Sequence, residues 1–480
     1  MPPVPPARSP VPETPRLLFR IARVEERLRP QLLTALLGVG ALACLVLTPP
    51  FQTPDAGSHF LRAWQLARGQ LFAEKRAAAT GGELPRAAIA DATRFSDLPF
   101  HAERKLSRTE FRARLEASAP LTDESLRTLD FAGFSNTALY SPVPYLPQAA
   151  AIALAARLHL RDLAAFYLAS LAALFASLLC FFLAFRALAS SLRAAALAFV
   201  TGGLPMSLFL LGSLNPDGLT LSLCVLNAAL ALRLRARFER RQFLFFLFTA
   251  ALISACKTLY FFAPLAALAL LCADINWISR TGLSRISMVL LATLMPTLCW
   301  SLCTQHLFSP IVPGVAPLAQ LDYTLHHLGE VLAGFATTLY SSRRDLWIML
   351  VGQLGWLDTR LSRATINTAT ALLFAAAMLR TSPPSSPWSA RDLLFRWSTF
   401  ASFLIALCLS CYLAWSPVGG ALDGLQGRYF LPFLFILLES LPPLLPAPGR
   451  WGQSALLGIA IAWSTVAIRT AATLAQRYWS

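Results

Sequence analysis

Apolar runs alternate with short arginine-rich connections along most of the chain, and two longer polar stretches interrupt the alternation. Runs such as LAAFYLASLAALFASLLCFFLAF (163–185) and ALLGIAIAWSTVAI (455–468) approach or reach the roughly 20 apolar residues that cross about 30 Å of hydrocarbon. Backbone amides inside lipid must be satisfied within their own segment, so these runs predict helices. Spans are expected near 31–48, 162–185, 194–213, 217–232, 242–256, 258–273, 286–304, 365–379, 394–415, 429–446 and 453–471, about eleven in all. The short runs between 242 and 273 also suit a broken helix. The pattern predicts an all-α polytopic membrane protein with interfacial helices and a long first external loop.

The apolar segment 144–158 is not among these spans. It is shorter than the roughly 17-residue minimum, and Pro142, Pro144 and Pro147 ring its start, so an amphipathic helix along the outer interface is expected. Making it a span would turn the arginine-dense RLRARFERR (233–241) outward, against the positive-inside rule. The same rule places the N-terminal tail, with six arginines from Arg8 to Arg29, in the cytoplasm. The expected order is a disordered basic tail (1–30), a first transmembrane helix (31–48), an external loop with interfacial helices (49–161) and a helix bundle (162–304). A second external loop with an interfacial or re-entrant piece at 346–358 (305–364) and C-terminal spans (365–480) follow.

Composition agrees: 56% hydrophobic against 14% charged residues, with a mean hydropathy of +0.56, lies outside the range of soluble domains. The net charge of +16 does not point to nucleic acid, because the arginines sit in connections and no interleaved basic and aromatic motif occurs. The nine cysteines carry no CxxC or Cys/His ligand spacing and read as small hydrophobes. No Walker loop, GxSxG elbow, HExxH or GxGxxG in a βαβ setting occurs, so ATP-driven transport, serine hydrolysis, zincin chemistry and a Rossmann site have no support.

In this topology Asp55, His59, Tyr140, Asn215, Asp217, Lys257, Asp358, Gln426 and Arg428 all fall at the external face. Asp55 and His59 are four apart, one turn on one helical face, and suit proton acceptance or cation binding; Asp55 after Pro54 equally suits a helix N-cap. Asn215 and Asp217 in LNPDGLT suit a site or simply a tight turn and a cap. Lys257 is one of three lysines and the one between apolar runs, so it either snorkels or meets a phosphate or carboxylate. Arg428 in LQGRYFLP suits bidentate phosphate binding or a head-group anchor within an aromatic belt. Glu439, inside an apolar run, is expected to be paired or interfacial.

The stretches PPFQTPDAGSHFLRAWQLARG (49–69), YSPVPYLPQ (140–148), NPDGLT (215–220), CKTLYFFAPL (256–265), GWLD (355–358) and QGRYFLP (426–432) resemble a bacterial family of predicted multi-pass membrane proteins of unknown function. More broadly, the chain resembles the GT-C superfamily of integral membrane glycosyltransferases. That resemblance implies sugar transfer, at the periplasmic or extracellular face of a bacterial inner membrane, from a polyprenyl-phosphate donor to a glycan, lipid or protein acceptor. It implies Asp55 as general base with help from His59, and Lys257 and Arg428 on the donor phosphate. Tyr140, Tyr145, Asn215, Asp217, Tyr260, Asp358 and Gln426 would then support the site or orient the acceptor. A divalent cation (Mg or Mn) on Asp55 is the one cofactor implied, although Ala56 stands where paired acids are common in that superfamily. A transporter, flippase or polymerase component for lipid-linked saccharides is the alternative, as is a noncatalytic partner in envelope-polymer assembly.

Overall fold

The computed structural model describes residues 14–271, 279–312, 314–379, 389–442, 444 and 452–480. Helix α1 (Thr14–Leu47) is followed by a unit of short elements: α2 (Ala56–Ala67), β1 (Glu74–Arg76), β2 (Ala79–Pro85), α3 (Arg86–Ala92), α4 (Arg108–Glu116), α5 (Asp123–Arg127), β3 (Leu129–Gly133) and α6 (Leu146–Arg157). The bundle continues through α7 (Asp162–Ala187), α8 (Leu192–Gly202), α9 (Pro205–Leu211), α10 (Asp217–Ala236), α11 (Arg240–Cys256), α12 (Phe262–Leu271) and α13 (Arg280–Thr304). It closes with α14 (Pro317–His326), α15 (Leu328–Gly352), a small hairpin of β4 (Gln353–Leu354) and β5 (Thr359–Arg360), α16 (Arg363–Met378), α17 (Ala390–Trp415), α18 (Leu431–Leu438) and α19 (Gly452–Tyr478).

Among the described residues six helices are long and apolar enough to cross a membrane: Arg29–Leu47, Asp162–Ala187, Asp217–Ala236, Arg280–Leu307, Ala390–Trp415 and Leu457–Tyr478. Counting the bent pair α8 and α9 as one span makes seven. The pair turns by 70° where Gly203 and Leu204 precede Pro205, whose ring starts the second helix and cannot continue the first. Trp463 of α19 fills the bend and donates its indole N–H to the Gly203 carbonyl at 2.8 Å. Four expected spans correspond to α11, α12, α16 and α18, helices of 17, 10, 16 and 8 residues, which fall short of roughly 20 residues.

Helix α10 runs through the middle of the bundle, buried on nearly every side and packed against α7, α11, α12 and α18. Helices α7, α13, α17 and α19 each leave apolar residues on the outside, among them Phe175, Leu291, Leu394 and Ile468, as lipid-facing helices do. At the end of the bundle where α10 finishes, Glu439 lies 3.8 Å from Arg193 and 3.6 Å from Arg396. Arg193 also donates to the carbonyls of Ala377 (2.7 Å), Glu439 (3.0 Å) and Leu441 (2.6 Å), tying α8, α16 and the exit of α18 together.

Several expectations need correction. The chain from Thr14 to Pro30, expected within a disordered tail, belongs to α1; residues 1–13 lie outside the described residues. The first loop contains a three-stranded antiparallel sheet, β1-β2-β3, in addition to its helices. The stretch 305–345, expected as loop, holds α14 and most of α15, and α15 runs without a break through the expected boundary at 346 because no proline interrupts Leu328–Gly352. The connections expected at 274–285 and 380–392 lie partly outside the described residues. Segment 144–158 forms a 3₁₀ turn and the 12-residue α6, about 18 Å long and too short to cross.

Candidate functional site

At the end of the bundle opposite the Glu439 cluster, the starts of α7 and α10 meet the ends of α1, α9 and α11. A cavity of about 340 Å³ opens there, and Asp55, His59, Tyr140, Asn215, Asp217, Lys257, Tyr260 and Arg428 all line it. Three walls differ in character. The short elements between α1 and α7 supply Asp55, His59, Asn136 and Tyr140; α10, Lys257 and the turn before α18 supply the charges; α13 and α17 supply Trp300, Leu407 and Trp415.

Asp55 occupies the position before α2, but its side chain makes no capping bond. Its backbone is left-handed (φ 61°, ψ 10°), a conformation that costs a non-glycine residue about 1–3 kcal/mol and that aspartate tolerates better than most. Its carboxylate instead accepts a hydrogen bond from Asn136 Nδ2 at 2.8 Å. The carboxylate is thus turned away from the helix end toward the cavity, and the capping role expected as an alternative is not the one it performs.

One turn on, His59 is 4% exposed, and its Nδ1 lies 2.7 Å from the Tyr145 hydroxyl, with which it shares a hydrogen bond. Burial pushes its pKa down to about 4, against the upward pull of Asp55 and Asp217, so the imidazole is neutral at pH 7. Burial likewise raises the Tyr140 phenol above its ordinary value. Arg62, fully buried one turn after His59, donates to the carbonyls of Leu71 (3.0 Å) and Tyr140 (2.9 Å) and so fixes the wall behind the histidine.

The charged wall is an ionic trio. Asn215 Oδ1 accepts the Asp217 backbone N–H at 2.7 Å and starts α10, which leaves the Asp217 carboxylate free to face the cavity. That carboxylate accepts from Lys257 Nζ at 2.5 Å, and its other oxygen is 3.7 Å from Arg428 Nε. Lys257 sits at an extended residue (φ −154°, ψ 121°) between α11 and the 3₁₀ turn Thr258–Phe261, the break that the apolar run required if an amine was to reach a polar space. Its ammonium also lies 5.6 Å and 5.0 Å from the ring centres of Tyr260 and Tyr429. The Tyr260 hydroxyl donates to the Tyr429 carbonyl at 3.0 Å, clamping the 3₁₀ turn Gly427–Phe430 that carries Arg428. Arg428 is 5% exposed, and its Nη1 has no hydrogen-bond partner among the described residues. A buried guanidinium donor left open beside a cavity is a place for an anion.

Residues 307–309 approach the cavity rim. Thr80 of β2 donates to the Leu307 carbonyl at 2.5 Å and lies 2.9 Å from the Ser309 hydroxyl, while Lys75 donates to the Phe308 carbonyl at 2.6 Å. The sheet therefore braces the segment that follows α13.

Three expected site residues stand elsewhere. Tyr145 does not line the cavity: it lies behind His59, with its hydroxyl on Nδ1 and its ring edge-on to Tyr140. Gln426 precedes the Arg428 turn, accepts the Tyr429 N–H through its carbonyl at 3.2 Å and does not line the cavity. Asp358 is also off the cavity: it pairs with Arg477 at 3.0 Å and accepts the Phe100 N–H at 2.9 Å, fastening α19 to the unit that follows α1. Asn136, Trp300 and Tyr429 were not foreseen as site residues. Asn136 does stand four residues before Tyr140 in a polar stretch, but its aim at Asp55 crosses 81 positions of chain.

The donor set does not suit a resident divalent cation. Among the described residues no group of three histidine, cysteine or acidic side chains converges. Asp217 is occupied by two cations, His59 Nδ1 by Tyr145, and Asp55 by Asn136, so Mg or Mn has no dedicated cage among the described residues.

Fold and site together define a multi-pass helical membrane protein with an ion-paired polar cavity at one end of its bundle. Residues 37–437 match the family model described as "Predicted membrane protein (DUF2142)", and the chain belongs to that family. The matched range contains the whole cavity and stops before α19. No curated protein and no solved structure matches the chain.

Proposed function

We propose that this chain is a membrane glycosyltransferase of the GT-C type, transferring a sugar from a polyprenyl-phosphate donor to a glycan, lipid or protein acceptor. One observation carries the reading: a carboxylate withdrawn from helix capping, Asp55, shares a cavity with two cations, the partly buried Lys257 and the buried Arg428, whose Nη1 is an open guanidinium donor. In the reaction, Asp55 accepts the proton of the acceptor hydroxyl as that oxygen bonds to the anomeric carbon. The bond from that carbon to the phosphate oxygen breaks, and the departing polyprenyl phosphate takes the electron pair. Lys257 and Arg428 stabilise the charge gathering on that phosphate. Neutral His59, backed by Tyr145, hydrogen-bonds within the site and does not carry the proton away as a second base. Asp217 holds the two cations in place until the phosphate arrives.

On this reading the protein lies in a bacterial inner membrane with its N-terminus in the cytoplasm and the cavity facing the periplasm or exterior. The arginines of 233–241, at the far end of α10 from Asp217, support that orientation. An eleven-span GT-C arrangement also needs the four shorter helices α11, α12, α16 and α18 to cross.

The test is made in the source organism: the gene is deleted and restored with wild type or Asp55→Asn at matched membrane levels, and lipid-linked sugars and envelope glycans are compared. Loss of one sugar with build-up of its polyprenyl-phosphate donor, in both the deletion and Asp55→Asn, supports transfer at Asp55. Full restoration by Asp55→Asn overturns it.

A further inference from the structure

A second pocket, of about 360 Å³, lies between α15 and the start of α16 and belongs to none of the machinery above. Four arginines line it: Arg343 and Arg344 on α15, Arg360 at the end of β5, and Arg363, the first residue of α16. No carboxylate lines it, and none of the four makes an ion pair among the described residues. Asp358, two residues from Arg360, is committed to Arg477. Arg343 rests on the Tyr340 ring at 4.1 Å and donates to the Tyr340 carbonyl.

The placement is electrostatically unfavourable by itself. The first turn of α16 holds no acid, so Arg360 and Arg363 set cations at the positive end of a 16-residue helix, where anions are favoured. Four like charges around one hollow add mutual repulsion. The floor, by contrast, is firmly built: Trp347 donates its indole N–H to Thr370 Oγ1 at 3.0 Å and stacks on Phe374, with Ile366 buried beside it. A rigid aromatic and apolar floor under a cationic rim, where an apolar helix begins, has the make-up of a membrane interface. Leu346, on the turn of α15 next to Arg343, abuts Gly427, so the pocket lies at the same end of the bundle as the cavity.

We propose that this pocket is a second anion site that holds the phosphate head group of an anionic membrane lipid, with the glycerol and upper acyl carbons over Trp347. The four guanidinium groups, none of them ion-paired among the described residues, then gain a counter-charge inside the pocket, and phosphate suits their bidentate geometry.

The probe is dioleoylphosphatidylglycerol, compared with dioleoylphosphatidylcholine and with inorganic phosphate, on the full chain purified in detergent. Native mass spectrometry counts retained lipid, and thermal unfolding reports stabilisation. Wild type is expected to retain and be stabilised by phosphatidylglycerol over phosphatidylcholine, and each Arg→Gln change at 343, 344, 360 or 363 should weaken retention about fivefold. Arg237→Gln, at the opposite end, should leave retention unchanged. Equal retention of both lipids, loss of preference in Arg237→Gln to the same degree, or stabilisation by inorganic phosphate with no lipid preference would each overturn the proposal. Because wild type alone must discriminate between the two lipids, the test survives a variant that fails to fold.

Discussion

Replacing Asp217 with asparagine removes the carboxylate that Lys257 and Arg428 share. The side chains of Lys257, Asp217 and Arg428 are 17%, 8% and 5% exposed, so the two cations would remain largely out of water and facing each other. Breaking a buried pair in this way costs about 3–5 kcal/mol, and two stranded cations place Asp217→Asn toward the upper end. Lys257→Met is milder, because Asp217 keeps Arg428 at 3.7 Å as a counter-charge; about 1–3 kcal/mol is expected. For a chain of this length an unfolding entropy of about 2.1 cal/mol/K per residue converts 1 kcal/mol into about 1 °C, so the shifts should be near 4–5 °C and 1–3 °C. The assay is thermal unfolding in one detergent at one scan rate, since membrane proteins seldom refold after heating. The double variant should lose less than the two single losses together, with a coupling of about 1–3 kcal/mol. An Asp217→Asn shift below 1 °C, a larger loss for Lys257→Met, or strict additivity would refute the ionic-trio account.

Glu439→Gln should lower stability by about 3–5 kcal/mol in the same assay, because Arg193 and Arg396 are both buried and both face that carboxylate. Gly427→Ala should be destabilising and should disturb the Arg428 turn, since a Cβ at 427 would overlap the Leu346 carbonyl and crowd Leu350 N–H; the rescue of glycan composition in the deletion strain checks the functional half. His59 has a folded pKa of about 4 against an ordinary value near 6.5, so the unfolded chain takes up this proton first. Its contribution to stability is therefore full above about pH 6.5 and declines as pH falls toward 4, and His59→Gln should flatten that part of the profile of unfolding temperature against pH.

Much of the protein was legible in order along the chain. Apolar length and arginine placement are local properties, so α1, α7, α10, α13, α17 and α19 could be read directly, and short, proline-ringed 144–158 could be set apart from them. Residue type and scarcity were also local: a lysine between apolar runs and an arginine after a glycine stood out before any contact was known. The small sheet after α1 was not legible, because its strands are short and β2 pairs with β3 some 50 positions away.

What the tertiary structure alone decided is which polar groups meet. Asp217 reaches Lys257 across 40 positions and Arg428 across 211, distances over which no periodicity carries information; helix packing around α10 sets them. The fate of Asp55 turned on Asn136, which holds the carboxylate off the helix end, and that of Asp358 on Arg477, which holds it out of the cavity. The chain's own pattern determines that it lives in a membrane and where it can break. Only packing determines which breaks face one another, because hydrophobic length acts within a helix while charge pairing acts between helices.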